Sequence, residues 1–492
     1  MVCEFSPIKF IRKYPLETIT ILGFIIFILY KISDIGAPYF WDEAGVYVPG
    51  ALNMKDSGHI GLLPRDLDPD LSRGHPLLFY FCNALVFKYF GDTVIAGHIF
   101  ALILAISTLI VFYFFARKEF GPIVATISTG LLSIQPIFFS LSAMLLPEMM
   151  LTLFTLLSLW GMIRDKWILY ASGASLAILT KESAIVLPVL GVTVLFISGI
   201  KDRDLFTLKR LKLLMIGLIP VLIFGLFFII QKIQRGWFFF PEHIGYVHYD
   251  LPNLRKIGGR ILYEMFLDQG RWLIGLTFLA GLALCILAKP LKIEFKCRPL
   301  LVFAGFLMLV LIFADINYYL TRYILYTIPV IVLGGVYTAV NILRRISPQK
   351  KAISSILIIL FTSGSIINAQ QNMVKFPYTC DMSYKWVLDV TESSIHWVEQ
   401  QPWKNDTINA NFPISNGLSD KRNGFLLGDP IPYIPNLEKV RNYALFFYEW
   451  GPDNIPVPKE IKYRILKTWS KSYANVVAIQ FIKPAKSRVI ER

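Results

Sequence analysis

The chain has 492 residues, of which 55% are hydrophobic and only 17% charged, and its mean hydropathy of +0.55 excludes an ordinary soluble globular protein. A net charge of +15 would otherwise point to nucleic acid. Lys and Arg fall instead in short clusters between apolar segments, as the positive-inside rule expects of an integral membrane protein, so no nucleic-acid partner is expected.

At about 20 apolar residues per span, candidate transmembrane helices lie near 16–32, 94–116, 121–140, 147–163, 167–180, 184–200, 213–231, 271–288, 300–314, 323–342 and 352–368, about eleven in all. The first lacks a small-residue cleavage site and is followed by Lys31, so it is expected to be a retained span rather than a signal peptide. With the N-terminus inside, every inner segment is basic: Lys9, Arg12 and Lys13, then Arg117 and Lys118, Arg164 and Lys166, the Lys201–Lys212 cluster, Lys289–Arg298, and Arg344–Lys351. That pattern supports the helix count and its parity together.

Two outer segments are long. Residues 33–93 open with Pro38-Tyr39-Phe40-Trp41-Asp42-Glu43-Ala44 and continue with an expected amphipathic helix, Ala44 to Lys55, and a turn-rich stretch from Asp66 to Gly74. The apolar run from His75 to Phe90, interrupted by Asn83 and Lys88, is expected to lie in or near the interface. Residues 232–270 mix aromatics with His243, His248, Arg255, Lys256 and Arg260. The expected organisation is a transmembrane domain over 1–375 and a small α/β domain over 376–492, where the composition becomes that of a soluble protein. In that domain Tyr384 to Gln400 reads as a helix, Thr407 to Asn411 and Ala444 to Tyr448 as strands, and Tyr463 to Ile482 as a hairpin turning near Ser472. Parity places it outside. Gly334-Gly335 lies inside a span and is read as a packing site. The five cysteines, Cys3, Cys82, Cys285, Cys297 and Cys380, form no close pair and no metal-ligand spacing.

Adjacent carboxylates at a membrane surface are costly to desolvate and usually have a purpose, although Asp-Glu at a helix start also complements the dipole. An outward active site cannot draw on cytoplasmic nucleotide sugars, and a lipid-linked donor would suit it. Sugar transfer from a polyprenyl phosphate needs a carboxylate to take the acceptor's proton, cations for the departing phosphate and a groove for the lipid. Asp42 is the candidate base. Glu43 would hold the acceptor or raise its neighbour's pKa through like charge. Consecutive helical residues point about 100 degrees apart, so the two are not expected to share one proton.

Glu148, in Leu146-Pro147-Glu148, either caps a helix or completes the acidic site on the acceptor side. The outward cations are Arg73, His75, Lys181, Arg255, Lys256, Arg260, Arg271 and Arg322. Lys181 is either a phosphate ligand or a snorkelling residue paired with Glu182. Arg322 begins an outer helix end, where a cation opposes the dipole, so an anionic partner is expected. His75 is more simply a hydrogen-bonding residue than a metal ligand, and His243 and His248 are five apart, which does not put two ligands on one helix face.

Taken together, these motifs resemble the GT-C class of membrane glycosyltransferases, in particular the superfamily of dolichyl-phosphate-mannose-dependent protein mannosyltransferases and bacterial aminoarabinose transferases. The resemblance covers about residues 10–345. It rests on Trp41-Asp42-Glu43-Ala44 with Tyr47, Gly74-His75-Pro76-Leu77-Leu78-Phe79-Tyr80, Leu146-Pro147-Glu148, Leu179-Thr180-Lys181, and Arg322-Tyr323 with Pro329, in the family's order. It implies a polytopic α-helical fold and an inverting transfer from a polyprenyl-phosphate sugar to a cell-envelope lipid, glycan or protein hydroxyl. By the resemblance Asp42 would be the base, Glu43 would lie on the acceptor side, and Lys181 and Arg322 would contact the donor phosphate; by position and charge, Glu148 is a further acceptor-side candidate and Arg73 and His75 are further candidates for the phosphate.

Three positions depart from the family pattern. His75 replaces the usual Lys, Gly74 stands where the aminoarabinose branch has an acidic metal-site residue, and Glu148 replaces the commoner Asp. No metal ligand is assigned, the part of a divalent ion stays open, and aminoarabinose is not assigned as the sugar. The rival readings are a transporter or flippase of lipid-linked sugars and a non-catalytic envelope scaffold. Transporters more often carry internal repeats and charges at the bilayer midplane; here the charges gather at the outer ends.

Overall fold

The structure, a computed structural model, describes residues 12–247, 250–287, 295–344, 359–369 and 379–482. Each of the eleven predicted spans contains a helix. Among the described residues six segments are long and apolar enough to cross a membrane: Pro15–Ile32 (α1), Val94–Phe120, Glu182–Asp202, Leu208–Arg235, Cys297–Ile316 and Thr321–Leu343. The other five hold shorter apolar helices, Pro122–Ser133, Pro147–Ile163, Trp167–Thr180, Trp272–Leu287 and Ile359–Ala369. The predicted 121–140 span is divided because Pro136 has no N–H to donate, so the chain leaves one helix at Ser133 and starts another over Pro136–Leu141. The segment 352–358, the loops 288–294 and 345–351, His248, Cys3 and the expected domain boundary at 376 lie outside the described residues.

The helices differ in what surrounds them. Thr321–Leu343 is mostly enclosed by protein, whereas Leu208–Arg235 turns Leu222, Leu226, Ile229 and Ile233 outward, as a lipid-facing helix does. The glycine pair is a close-packing site. A Cβ at Gly335 would lie 2.5 Å from the Ile274 carbonyl oxygen, and one at Gly334 would lie 2.4 Å from the Phe278 ring, so the two helices touch through backbone.

At one end of the bundle the basic loops are tied together: Arg117 Nη2 reaches Glu17 Oε1 at 2.6 Å, Arg164 Nε lies 3.4 Å from Glu119, and Arg298 Nη1 donates to Asp165 at 2.7 Å. The first long segment lies at the other end. There a π-helical turn, Glu43–Tyr47, runs directly into Val48–Asp56 (α2), in place of the single amphipathic helix expected from Ala44 to Lys55. The run after His75 forms Leu78–Phe90 (α3), which buries Phe79, Tyr80, Asn83 and Phe87 and leaves Tyr89 and Phe90 exposed.

The C-terminal region is a helix, Tyr384–Glu399, against a five-stranded sheet: β1 Ile408–Ala410, β2 Tyr433–Pro435, β3 Tyr443–Glu449, β4 Tyr463–Lys471 and β5 Ala474–Phe481, in the order β2-β1-β3-β5-β4. β1 is parallel to both neighbours, and β5 is antiparallel to β3 and β4, with Phe446 opposite Val477. Strand alternation gives the sheet two apolar faces. Leu445, Phe447, Val476 and Ala478 join the same core as Tyr39, Phe40 and the membrane helices, while Phe446, Tyr448, Val477 and Ile479 form a separate small core. The short edge strand β2, bracketed by Pro432 and Pro435, is the one strand the sequence pattern missed.

Candidate active site

The first loop is held from both sides before it delivers Asp42. Tyr39 N donates to the Asn423 carbonyl of the C-terminal region at 2.9 Å, and the Trp41 ring packs on Phe412 with centroids 4.9 Å apart. Trp41 itself has φ +49, a left-handed conformation that a bulky residue rarely adopts, so this turn is imposed by its surroundings. The turn puts Asp42 at the start of the π-helical segment, where its neighbour Glu43 meets a different set of partners.

Three other elements converge on Asp42. Glu148 sits in the first turn of Pro147–Ile163, which begins at Pro147 as a proline-led helix does. Lys181 ends Trp167–Thr180 in extended conformation, with its N–H on the Ala177 carbonyl. Arg322 lies in a 3₁₀ turn, Thr321–Thr327, that precedes the helix Ile328–Leu343.

The four side chains form one network. Arg322 Nη2 donates to Asp42 Oδ2, and Arg322 Nε lies 3.3 Å from Glu148 Oε1, which also accepts from Lys181 Nζ at 2.9 Å. Lys181 Nζ stands 3.4 Å above the Tyr323 ring. Glu148 is 1% exposed, whereas the Asp42 side chain is 31% exposed. Asp42 is therefore the member of the network that an incoming molecule reaches. Glu148 Oε2 is buried and accepts no hydrogen bond from the described residues.

Lys181 thus pairs with Glu148 and not with its neighbour Glu182. Glu182 Oε2 instead lies 2.9 Å from His75 Nδ1, and the His243 ring packs 5.1 Å from that of His75. The contact of His243 is with a distant segment, and no local signal in the sequence marks it. Burial and the adjacent His75 hold its imidazole below the ordinary value. Arg73 is exposed and forms no ion pair among the described residues, so it stands apart from the Asp42 network.

Of the remaining outward cations, Arg271 is fully buried against Gln135, Gln269 and the backbone of Glu264 and Met265. It is a packing group, since nothing outside can touch it. Arg260 Nε pairs with Glu264 at 2.7 Å. At Gly74 φ is +73, and a Cβ would meet Trp237 at 3.0 Å and Phe240 at 3.2 Å, so a larger residue there would be strained. Among the described residues no three His, Cys, Asp or Glu side chains gather as a metal site would require.

Glu43 lies outside the network. It is 1% exposed, with Oε2 accepting from Phe40 N at 2.9 Å and Oε1 shared by Leu145 N and His98 Nε2. Its carboxylate is enclosed by protein, and the expected contact with an acceptor is not open to it in this arrangement. A lone His in an apolar helix carries no distinguishing pattern, so the sequence does not mark His98.

The fold is the GT-C fold, shared with the solved structures named below. Residues 74–228 match the family model described as dolichyl-phosphate-mannose-protein mannosyltransferase. Among solved structures the chain is similar to ArnT from Cupriavidus metallidurans bound to undecaprenyl phosphate, at 16% identity over 95% of this chain and 99% of that one, TM-score 0.54. It is also similar to the apo state of that protein, at 15% identity over 93% and 97%, TM-score 0.55. The archaeal oligosaccharyltransferase AglB from Archaeoglobus fulgidus, in complex with an inhibitory peptide and a dolichol-phosphate, matches at 11% identity over 89% of this chain and 70% of that one, TM-score 0.50. No curated protein matches the sequence.

Proposed function

We propose that the protein is an inverting glycosyltransferase that moves a sugar from a polyprenyl-phosphate carrier to a hydroxyl of a cell-envelope lipid, glycan or protein on the extracytoplasmic face. The observation that carries this reading is the partly exposed Asp42 carboxylate paired with a buried Arg322, which shares Glu148 with Lys181. Two cations and a carboxylate buried together gain little over an apolar core of the same volume, because desolvation offsets their attraction. Such a cluster at the mouth of a bundle is better explained by a charged substrate than by stability. The membrane ArnT structure holds undecaprenyl phosphate and the AglB structure a dolichol-phosphate, which supports a lipid-phosphate donor here.

In this mechanism the donor phosphate binds at Arg322 and Lys181, competing with Asp42 for the guanidinium. Release from Arg322 leaves the Asp42 carboxylate free to meet the acceptor hydroxyl as the donor arrives. Asp42 then takes the proton of the acceptor hydroxyl, whose oxygen attacks the anomeric carbon from the face opposite the phosphate. The bond from the anomeric carbon to the phosphate oxygen breaks with its electron pair on the phosphate, where Arg322 and Lys181 balance the charge. Inversion follows from that single displacement.

The test is transfer of radiolabelled sugar from a panel of polyprenyl-phosphate sugars to total membrane lipids, glycans and proteins, comparing wild type with Asp42→Asn. Product from the wild type, lost in a folded variant, is the expected result. Undiminished transfer by Asp42→Asn would remove Asp42 as the base.

A further inference from the structure

We infer that Glu43 and His98 are positioning residues that set the distance between Asp42 and Glu148, an assignment that rests on the transferase reading above. The carboxylate of Glu43 joins three separate elements. Its Oε2 accepts from Phe40 N at 2.9 Å, fixing the turn two residues before Asp42. Its Oε1 accepts from Leu145 N, three residues before Glu148, in the bend that starts the helix Pro147–Ile163. The same Oε1 lies 3.1 Å from His98 Nε2, on the helix Val94–Phe120.

His98 is held in turn. Its Nδ1 lies 3.1 Å from the Ile35 carbonyl, which only accepts, so Nδ1 carries a hydrogen. Its Nε2 faces Glu43 Oε1. The Tyr39 ring meets the imidazole edge-on at 5.0 Å, and both His98 and Glu43 are at most 2% exposed. No solvent reaches the pair, so its geometry passes to the backbone on both sides. Asp42 and Glu148 both pair with Arg322, and Glu43 holds the backbone leading to each of them.

The chemistry of the amide explains the choice of variant. In Glu43→Gln the side-chain oxygen satisfies either Phe40 N or Leu145 N, and the amide nitrogen faces the other N–H as a second donor. Shape and volume are kept, but one of the two tethers is lost. A loss of alignment of about 1 Å at the reacting groups is enough to slow transfer about 100-fold.

The experiment measures steady-state transfer by wild type and Glu43→Gln, with KM for donor and acceptor, alongside a structure of the variant. The expected result is a fall in kcat of about 100-fold with both KM values within about threefold, and a displaced Asp42–Arg322 pair. His98→Asn, which keeps a donor on a shorter side chain, is expected to fall between wild type and Glu43→Gln. A raised acceptor KM with kcat unchanged would return Glu43 to acceptor binding and overturn the inference. So would a variant that keeps both kcat and the Asp42–Arg322 pair. If wild type transfers nothing, the transferase reading fails by itself. The variant's structure then decides this inference: a displaced pair sustains it and an intact pair overturns it.

Discussion

Arg322 donates to Asp42 across 280 positions of sequence and, through Nε, also faces Glu148. A guanidinium between two carboxylates has its charge already satisfied, so a phosphate must displace one of them to bind. Asp42, the more exposed of the two, is the one that yields.

This leads to an outcome that a simple loss of function would not give. Asp42→Asn should abolish transfer by about 10²- to 10⁴-fold, the usual contribution of a general base. It should also bind a polyprenyl phosphate more tightly, by about fivefold, because Arg322 is freed. Arg322→Gln should lose both transfer and binding. Equilibrium binding of the unglycosylated carrier phosphate to detergent-solubilised protein distinguishes them, and weaker binding by Asp42→Asn would contradict the competition.

Glu148→Gln leaves Lys181 and Arg322 facing one another with no carboxylate between them. Breaking a buried pair by removing one partner typically costs about 3–5 kcal/mol. We expect a clear fall in thermal unfolding temperature, partly restored when Lys181→Met is added, because the second change removes the uncompensated cation while keeping an apolar stem over Tyr323. An unchanged midpoint for Glu148→Gln would show that the cations do not depend on it.

The attachment of the C-terminal region has a pH signature. Asp34 is bonded by Lys31 at 2.6 Å and by Lys385 of the C-terminal helix Tyr384–Glu399. Burial by itself pushes the Asp34 carboxyl up, but Lys31 and then Lys385 outweigh it and hold it below its ordinary value of 3.8. A carboxylate lowered on folding contributes stability above its unfolded pKa, and that stability is lost as pH falls through the folded one. Thermal unfolding from about pH 6 down to about pH 3 should therefore show a loss beginning near pH 4. Lys385→Met should lower stability at pH 6 and flatten the profile, and an unaltered profile would exclude this contact as a tether.

Gly335→Ala tests the helix packing independently of any chemistry. The added methyl would sit 2.5 Å from the Ile274 carbonyl oxygen, a backbone atom that cannot rotate away. Overpacking of this kind costs about 1–3 kcal/mol, readable as a lower unfolding temperature. Gly225→Ala, with nothing within 4 Å, should leave that temperature unchanged.

Much of the architecture was legible in the chain because bilayer physics makes it so. A spanning helix needs a long apolar run, and the alternation of basic loops sets its direction. The eleven segments, the helix over 384–400 and the hairpin turning at Ser472 follow from periodicity and punctuation that act locally. The shorter helices departed where proline acts, as at Pro136. β2 is not legible in the sequence because a three-residue edge strand carries too little pattern.

The residues of the Asp42 network were also visible one by one, as charges at helix ends where burial is costly. Which charge meets which was not. Glu182 lies next to Lys181 in sequence yet turns to His75, while Lys181 turns to Glu148. Asp42 and Glu43 are adjacent, but one faces Arg322 and the other is enclosed with His98. Sequence by itself determined a polytopic helical membrane protein with charged groups gathered at helix ends, since hydropathy and loop charge act over a few residues at a time. Only the tertiary structure decided the partners, because a side chain's direction depends on local backbone twist, and pairing depends on which distant helix packing brings within about 3 Å.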